Sequence, residues 1–389
     1  MRILVLGGSG TQGRAAVLDL TRNAAVSEVL SADARPDTGL LPAGTDLSKV
    51  QSLALDAADH GSLVASMASV DAAVDLLPRQ FMGNVCRAAV EAGVSIVNTN
   101  YAHGLAQFDG PAREAGIAIL PECGLDPGID LVMYGEAVRR FDRLEVIRSY
   151  CGGFPAAEAA DNPLKYKISW TWEGVLSSTM RDSRIIQDGR RVEIPADRQH
   201  DAEFVHEIEF PGLGTVEAIP NGLADVFVDQ LGLGDTIRET GRYALRWPGW
   251  SAFWRPLKEF GFLSREPVPG LAGEASPYDL LDKLLGPQLE YRDDEKDLVA
   301  MVNIFEGELD GRRSRLTSRL LIERDLVTGL LAMSQAVGFP ASIAAQMIAG
   351  GDIVGTGVLS PALHVPGGRF LEELARRGIT VAEEEELLG

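Results

Sequence analysis

Short apolar runs separated by amphipathic stretches fill the first third of the chain. Residues 3–6, 28–32, 52–55, 72–77, 95–98 and 118–120 are nearly continuous in Val, Ile, Leu and Ala, which predicts strands buried on both faces. Between them, residues 14–23 and 84–92 place apolar side chains three and four apart, the period of a helix packed on one side. Such βαβα alternation predicts an α/β fold built on an open, doubly wound parallel sheet. After residue 120 the pattern changes. All five tryptophans fall between Trp170 and Trp254, charges become denser, and strand-like alternation appears at 202–210 and 299–306. A second α+β domain with a mixed sheet is expected there. Helices are expected at 326–335, 341–349 and 369–377, and the glutamates at 383–386 read as a solvated helix end.

The first turn carries chemistry. Gly8, Ser9, Gly10, Thr11, Gln12 and Gly13 form a GxGxxG run between the first strand and the first helix. In that position the first glycine permits a tight turn and the second lets backbone approach a pyrophosphate. The third lets helix pack on strand, with the phosphate charge at the helix N-terminus. Asp33 follows Gly13 by twenty residues, at the end of the second strand, where a carboxylate accepts hydrogen bonds from ribose hydroxyls. Strand, turn, helix and acid agree on a Rossmann-type dinucleotide site. Asp33 favours NAD because it repels a 2'-phosphate, while Arg35 two residues on leaves NADP as the alternative. Asp56 after the third strand is placed near the adenine, and Leu77 and Pro78 after the fourth border the nicotinamide side.

Charge and cysteines exclude several classes. With 36 Lys+Arg against 56 Asp+Glu the formal net charge is -20, which repels phosphate backbones and anionic lipid, and no basic cluster offsets it. Neither a nucleic acid nor a membrane is expected as a partner, and no run approaches the ~18 apolar residues of a spanning helix. Cys86, Cys123 and Cys151 lack CxxC or Cys/His spacing, so reduced thiols in a cytoplasmic protein are expected, with no metal site.

The junction Pro121-Glu122-Cys123-Gly124-Leu125-Asp126-Pro127-Gly128-Ile129-Asp130 is a Pro/Gly turn leading into a helix. From here the chain resembles the saccharopine dehydrogenases, which include glutamate-forming saccharopine reductases and the related lysine 6-dehydrogenases. The resemblance rests on residues 124–130, the run Tyr150-Cys151-Gly152-Gly153-Phe154-Pro155, residues 161–170, Leu245-Arg246-Trp247-Pro248-Gly249, and residues 332–350 with 357–361. It implies NAD(P)-dependent hydride transfer at the ε-carbon C–N bond of lysine or a lysine derivative. It also implies a C-terminal segment that returns to the first domain, and a homo-oligomer. The expected divisions are 1–125 for dinucleotide binding, 126–330 for substrate and oligomerisation, and 331–389 for the C-terminal segment.

In one run the chain departs from the saccharopine reductases. Where those have a Tyr-Pro-Asn-Arg-Asp-Ser-like stretch, with an Arg suited to a substrate carboxylate, this chain reads Ile219-Pro220-Asn221-Gly222-Leu223-Ala224-Asp225. An unpaired buried carboxylate costs several kcal/mol, so the missing cation favours lysine 6-dehydrogenase-like deamination to the semialdehyde. Saccharopine reduction or another opine-like reductive amination is the alternative, and a non-catalytic NAD(P)-binding sensor the alternative of another class.

An amino-acid substrate needs positioning groups and one proton acceptor. Asp126 is a candidate to hold the substrate ammonium and accept its proton, its other reading being an N-cap for a helix starting near Pro127. Tyr101 and His103 follow the fifth strand, and a histidine titrates where proton exchange near neutrality needs it. Cys151 and Gly152 open a loop that the resemblance places near cofactor and substrate. Lys165 and Lys167 read as carboxylate or proton-handling groups, or as surface lysines on a strand. Trp170 reads as a wall for the lysine methylenes or as core. Asn221 is a substrate candidate, and Arg246 is the candidate for the α-carboxylate, with a structural salt bridge as its other reading.

Overall fold

The computed structural model describes residues 1–270 and 275–389. The apolar runs of the first third are strands: β1 (Arg2–Leu6), β2 (Glu28–Asp33), β3 (Val50–Ala54), β4 (Ala72–Asp75), β5 (Ile96–Asn98) and β6 (Ala118–Leu120). The amphipathic stretches between and after them are α1 (Thr11–Arg22), α2 (His60–Met67), α3 (Met82–Ala92), α4 (Asp109–Glu114) and α5 (Ile129–Arg140). All strand pairings in this sheet are parallel, in the order β3-β2-β1-β4-β5-β6, so the carboxyl ends of the strands form one rim. β1, β4 and β5 are almost wholly buried, as their unbroken apolar sequences require.

The second unit contains the mixed sheet. Its strands are β7 (Arg143–Pro155), β8 (Ser183–Gln187), β9 (Arg190–Ile194), β10 (His206–Phe210), β11 (Gly214–Pro220), β12 (Glu239–Arg246), β13 (Asp297–Leu309) and β14 (Arg312–Glu323). β7 runs parallel to β12 and antiparallel to β13, and β13 and β14 form a long hairpin. The helices are α6 (Trp172–Ser178), α7 (Asp225–Gln230), α8 (Trp250–Glu259) and α9 (Pro277–Leu285). The clustering of tryptophans has a packing cause. Trp172, Trp250 and Trp254 join Tyr166, Phe154 and Leu245 in one core, with Trp170 and Trp247 packed against it.

The chain then returns. α10 (Ala332–Gly350), β15 (Gly357–Val358), α11 (Pro361–His364) and α12 (Gly367–Arg376) belong to the first unit, with β15 adding to β6 in parallel, and β16 (Ala382–Leu387) belongs to the second. The divisions lie at 139/140, 324/325 and 381/382, not at 125 and 330. α5 packs with the parallel-sheet unit, where Gly135 admits the Ala362 carbonyl at 2.0 Å from where its Cβ would be.

Three expected elements differ. Residues 326–331 are not helical, because the Asp325 carboxylate accepts hydrogen bonds from Val327 N, Thr328 N and Thr328 Oγ1 and rolls the segment into a turn closed by Gly329 at φ +76°. α10 runs unbroken through Gly338 and Pro340. Gly338 is there for contact: its Cβ would lie 2.5 Å from the Gln12 carbonyl of α1. Residues 383–386 are exposed as expected but form a strand, paired antiparallel to β14. Their carboxylates meet Arg140, Arg315 and Arg319, which draw the backbone into an extended edge.

Candidate active site

The glycine turn is built for close approach. A Cβ on Gly13 would sit 2.0 Å from the Gly7 carbonyl oxygen, and one on Gly8 2.2 Å from Ser31 Oγ. Gly10 is the N-cap of α1 and supplies no side-chain cap, so the first N–H groups of a 12-residue helix remain for a ligand. An uncapped helix start behind a glycine turn fits a pyrophosphate. Residues 8–13 would hold that group, and Thr11 and Gln12 lie on the first turn.

The adjoining rim is closed by carboxylates. Asp33 accepts from Ser9 N at 3.3 Å and from Arg35 N at 3.1 Å, and Ser9 Oγ accepts from Asp37 N, so Asp33 is tied to the turn it serves. Arg35 is exposed. Asp56 lies two residues past β3 and accepts from Ala58 N. Leu77 and Pro78 follow β4, with Asn100 Nδ2 3.5 Å from the Leu77 carbonyl. Tyr101 and His103 stack with ring centroids 5.9 Å apart, His103 being exposed.

Two residues under this rim escaped the sequence reading. Asp75 and Asn98 are register neighbours on β4 and β5, both fully buried. Each folds its own turn: Asp75 Oδ1 accepts from Leu77 N, and Asn98 Oδ1 from Asn100 N. Burial pushes the Asp75 carboxyl up to about 7. The signal was present as a polar residue interrupting the 72–77 run and another ending the 95–98 run.

The junction is a knot of backbone. Gly124 N donates to the Pro127 carbonyl, Ile129 N to the Gly124 carbonyl, and a Cβ on Gly128 would lie 2.0 Å from that same Gly124 oxygen. Asp126 precedes Pro127 through a cis peptide and is half-buried. Because α5 starts at Ile129, Asp126 is not its N-cap; the turn itself intervenes. Asp130, in the first turn of α5, is buried, as is Glu122 of the same junction; it accepts from Gly128 N, and burial raises it to about 7. Cys123 is buried, its thiol pushed up to about 12, which makes it core.

In the second unit, Cys151 and Gly152 lie inside β7 and not in a loop, since they pair with Met301 and Ala300 of β13. Gly152 is demanded by packing, its Cβ position being 2.2 Å from the Leu245 carbonyl. The 162–166 segment is a turn around Asn162 and not a strand, so the lysines do not alternate. Lys167 is buried and bound to Glu295 at 2.5 Å and Asp161 at 3.0 Å, whereas Lys165 is exposed and donates to the Pro248 carbonyl. Trp170 covers the start of α6, where a Cβ on Gly174 would meet its ring at 2.2 Å.

Arg246 is different. It is only 7% exposed, yet among the described residues no carboxylate lies within ion-pair distance. Its guanidinium sits 5.2 Å from the Tyr166 ring centre and 4.9 Å from that of Trp250, with Nη1 donating to the Leu245 carbonyl and Nε without a partner. Cys151 and Tyr291 also act on it electrostatically, and burial lowers its pKa. Asn221 Oδ1 accepts from Arg181 Nη1 at 2.9 Å.

Comparison with known proteins places this arrangement. Residues 3–120 match the family model described as saccharopine dehydrogenase NADP binding domain, and residues 124–379 match saccharopine dehydrogenase C-terminal domain. The chain belongs to the saccharopine dehydrogenase family. It is 26% identical to the saccharopine dehydrogenase [NADP(+), L-glutamate-forming] of Schizosaccharomyces pombe, over 86% of this chain and 88% of that one. It is also 26% identical to the mitochondrial alpha-aminoadipic semialdehyde synthase of Mus musculus, over 80% of this chain and 40% of that one. The solved apo structure of saccharopine dehydrogenase (L-Glu forming) from Saccharomyces cerevisiae superposes with a TM-score of 0.84 at 25% identity, covering 99% of both chains. As a member of this family the protein is an NAD(P)-dependent oxidoreductase acting on the CH–NH group of a small-molecule substrate. No described helix is long and apolar enough to cross a membrane.

Proposed function

We propose that this protein interconverts saccharopine and water with glutamate and the ε-semialdehyde of lysine, using NAD(P). The observation that carries this reading is Arg246, a buried guanidinium walled by Tyr166 and Trp250 and lacking a carboxylate of its own. Leaving such a cation unpaired costs several kcal/mol, and an amino-acid carboxylate bound in place offsets it. Arg246 thus anchors one substrate carboxylate, which fixes the position of the C–N bond along an otherwise flexible chain. Asp126 takes the proton that the amine loses as the imine forms, and Tyr101 and His103 contact substrate or pass that proton onward. The nicotinamide cofactor, when bound, accepts the hydride. The likeness to glutamate-forming enzymes supports the saccharopine assignment.

Although the family model and the Schizosaccharomyces pombe relative carry NADP in their names, Asp33 gives this chain a preference for NAD, since a carboxylate at the end of the second strand repels a 2'-phosphate. Asp33→Ser is expected to shift the NAD/NADP ratio of kcat/KM toward NADP by about tenfold, roughly 1.4 kcal/mol. A second reading, deamination of free lysine, is favoured by the absence of arginine from residues 219–225. The deciding experiment follows reduced-cofactor absorbance with saccharopine and with L-lysine separately. Turnover of saccharopine alone supports the proposal; turnover of lysine alone sinks it.

A further inference from the structure

We infer that Arg181, with Asn221, forms a second carboxylate-binding position, specific for the amino-acid half that leaves as glutamate; this rests on the saccharopine reading above. Arg181 lies between α6 and β8, outside every motif that pointed to chemistry. Its Nη1 donates to Asn221 Oδ1 at 2.9 Å, and its Cδ is 3.9 Å from the Cβ position of Gly222. Gly222, at φ +78°, adds no side chain of its own, so the arginine reaches over the turn from the facing segment. That segment is fixed: Gly222 N donates to Ser183 Oγ, Arg184 N to the Gly222 carbonyl, and Ala224 N to the Arg184 carbonyl.

What marks Arg181 is a half-buried guanidinium held by Asn221 and not by an acid. The chain carries a formal net charge of -20, and three other arginines of the same stretch have acids, Arg184 pairing with Asp225 and Glu193, Arg191 with Asp225 and Asp229, and Arg198 with Asp201 and Glu203. Arg181 is half-buried, makes no ion pair among the described residues, and spends one N–H on Asn221. A guanidinium has five donors, so a pair remains for a bidentate carboxylate, and Asn221 Nδ2 adds another donor beside it.

The spacing suits a two-headed substrate. Asn221 N donates to the Arg242 carbonyl, which sets Asn221 beside Arg242 on the β11–β12 ladder, four residues from Arg246. At about 3.3 Å per residue that is roughly 13 Å of strand. In saccharopine the two outer carboxyl carbons are ten bonds apart, on the order of 12 Å when extended. With Arg246 read as the partner of the α-carboxylate of the lysine half, Arg181 takes the glutamate end.

The test is steady-state kinetics in the reductive direction, with glutamate and the semialdehyde varied separately, for the wild type, Arg181→Met and Arg181→Lys. In Arg181→Met the KM for glutamate rises ten- to a hundredfold, while the KM for the semialdehyde and that for the cofactor stay within threefold and kcat falls less than threefold. Arg181→Lys, which keeps the charge and loses the fork, recovers part of the glutamate KM. Equal rises in both substrate KM values, or a loss confined to kcat, overturn the assignment, as does an Arg181→Met enzyme with an unchanged KM for glutamate. A wild type that makes no saccharopine at all refutes the substrate reading itself, a distinct outcome seen before any variant is made.

Discussion

Asp75→Asn tests whether the rim is built on a buried neutral acid. Asp75 is 1% exposed, its Oδ1 accepts the Leu77 N–H at 3.1 Å, and its Oδ2 has no partner. Desolvation pushes its pKa to about 7 from 3.8, and the single backbone hydrogen bond only partly opposes this. The sign follows from proton counting. Below the unfolded pKa both states are protonated and the site's stability is intact. As pH rises through the window from 3.8 to about 7 the unfolded chain ionises while the folded chain keeps its proton, and stability is lost. The slope is about 1.4 kcal/mol per pH unit, and the whole window amounts to no more than about 4 kcal/mol. Asparagine keeps the acceptor for Leu77 and never ionises. Urea unfolding from about pH 5.5 to about pH 8.5 should therefore show the variant gaining on the wild type as pH rises, with a plateau above about 7. Burial first, and the Asp75 charge second, push the Cys86 thiol up to about 12, so above about pH 7, where Asp75 ionises, the thiol should react faster with a thiol reagent in the variant. A stability difference that does not change with pH refutes the reasoning.

Three further outcomes follow from the geometry. Gly13→Ala places a methyl 2.0 Å from the Gly7 oxygen and 2.8 Å from Gly8 Cα, both rigid backbone, so cofactor affinity measured by fluorescence titration should fall at least a hundredfold, about 3 kcal/mol. Arg246→Met removes a buried cation that has no acid; thermal stability should hold or rise while kcat/KM for saccharopine drops by about a hundredfold or more, and a fall in both would make Arg246 structural. Arg377→Met leaves the Asp19 carboxylate, 6% exposed and bonded to Ser342 and Gln346, without its cation, and should cost about 3 kcal/mol in thermal denaturation.

How far the sequence was legible depended on whether the deciding interaction was local. Strands such as Ile3 to Leu6 announce themselves because burial on both faces demands unbroken apolar residues, and the glycine turn because backbone collisions leave no other residue type. The Asn162 turn was missed because it rests on one side chain bonding backbone up to four residues on, which defeats a period-two reading of Lys165 and Lys167. Lys167 found Glu295 across 128 residues, a partner no spacing rule could name. In the same way Gly222 read as a lost cation, because the arginine beside it belongs to residue 181. Asp75 and Asn98 were within reach: a polar residue breaking or closing an apolar run is the pattern of a side chain folding back on its own turn, two residues on.

The acidic C-terminus gives the sharpest contrast between local and distant causes. Four consecutive glutamates repel one another and have low strand propensity, so by themselves they should not form a strand. They pair with β14 because alternation sends Glu383 and Glu385 to Arg140, and Glu384 and Glu386 to Arg319 and Arg315. Each exposed pair contributes about 0.2–1 kcal/mol, so the four together supply roughly 1–4 kcal/mol, comparable with the cost of ordering the end of a chain. That stabilisation is electrostatic and hence screened: the Debye length falls from about 10 Å at 0.1 M salt to about 3 Å at 1 M. Amide exchange at residues 383–387 should accelerate severalfold between those two salt concentrations, while β13, itself almost wholly buried and paired on both sides, is unaffected. Exchange in β16 that ignores salt would mean that backbone pairing alone holds the edge. Reversing Arg319 and Glu384 together should then restore nothing, whereas the electrostatic account requires the double swap to recover the protection that either single swap loses.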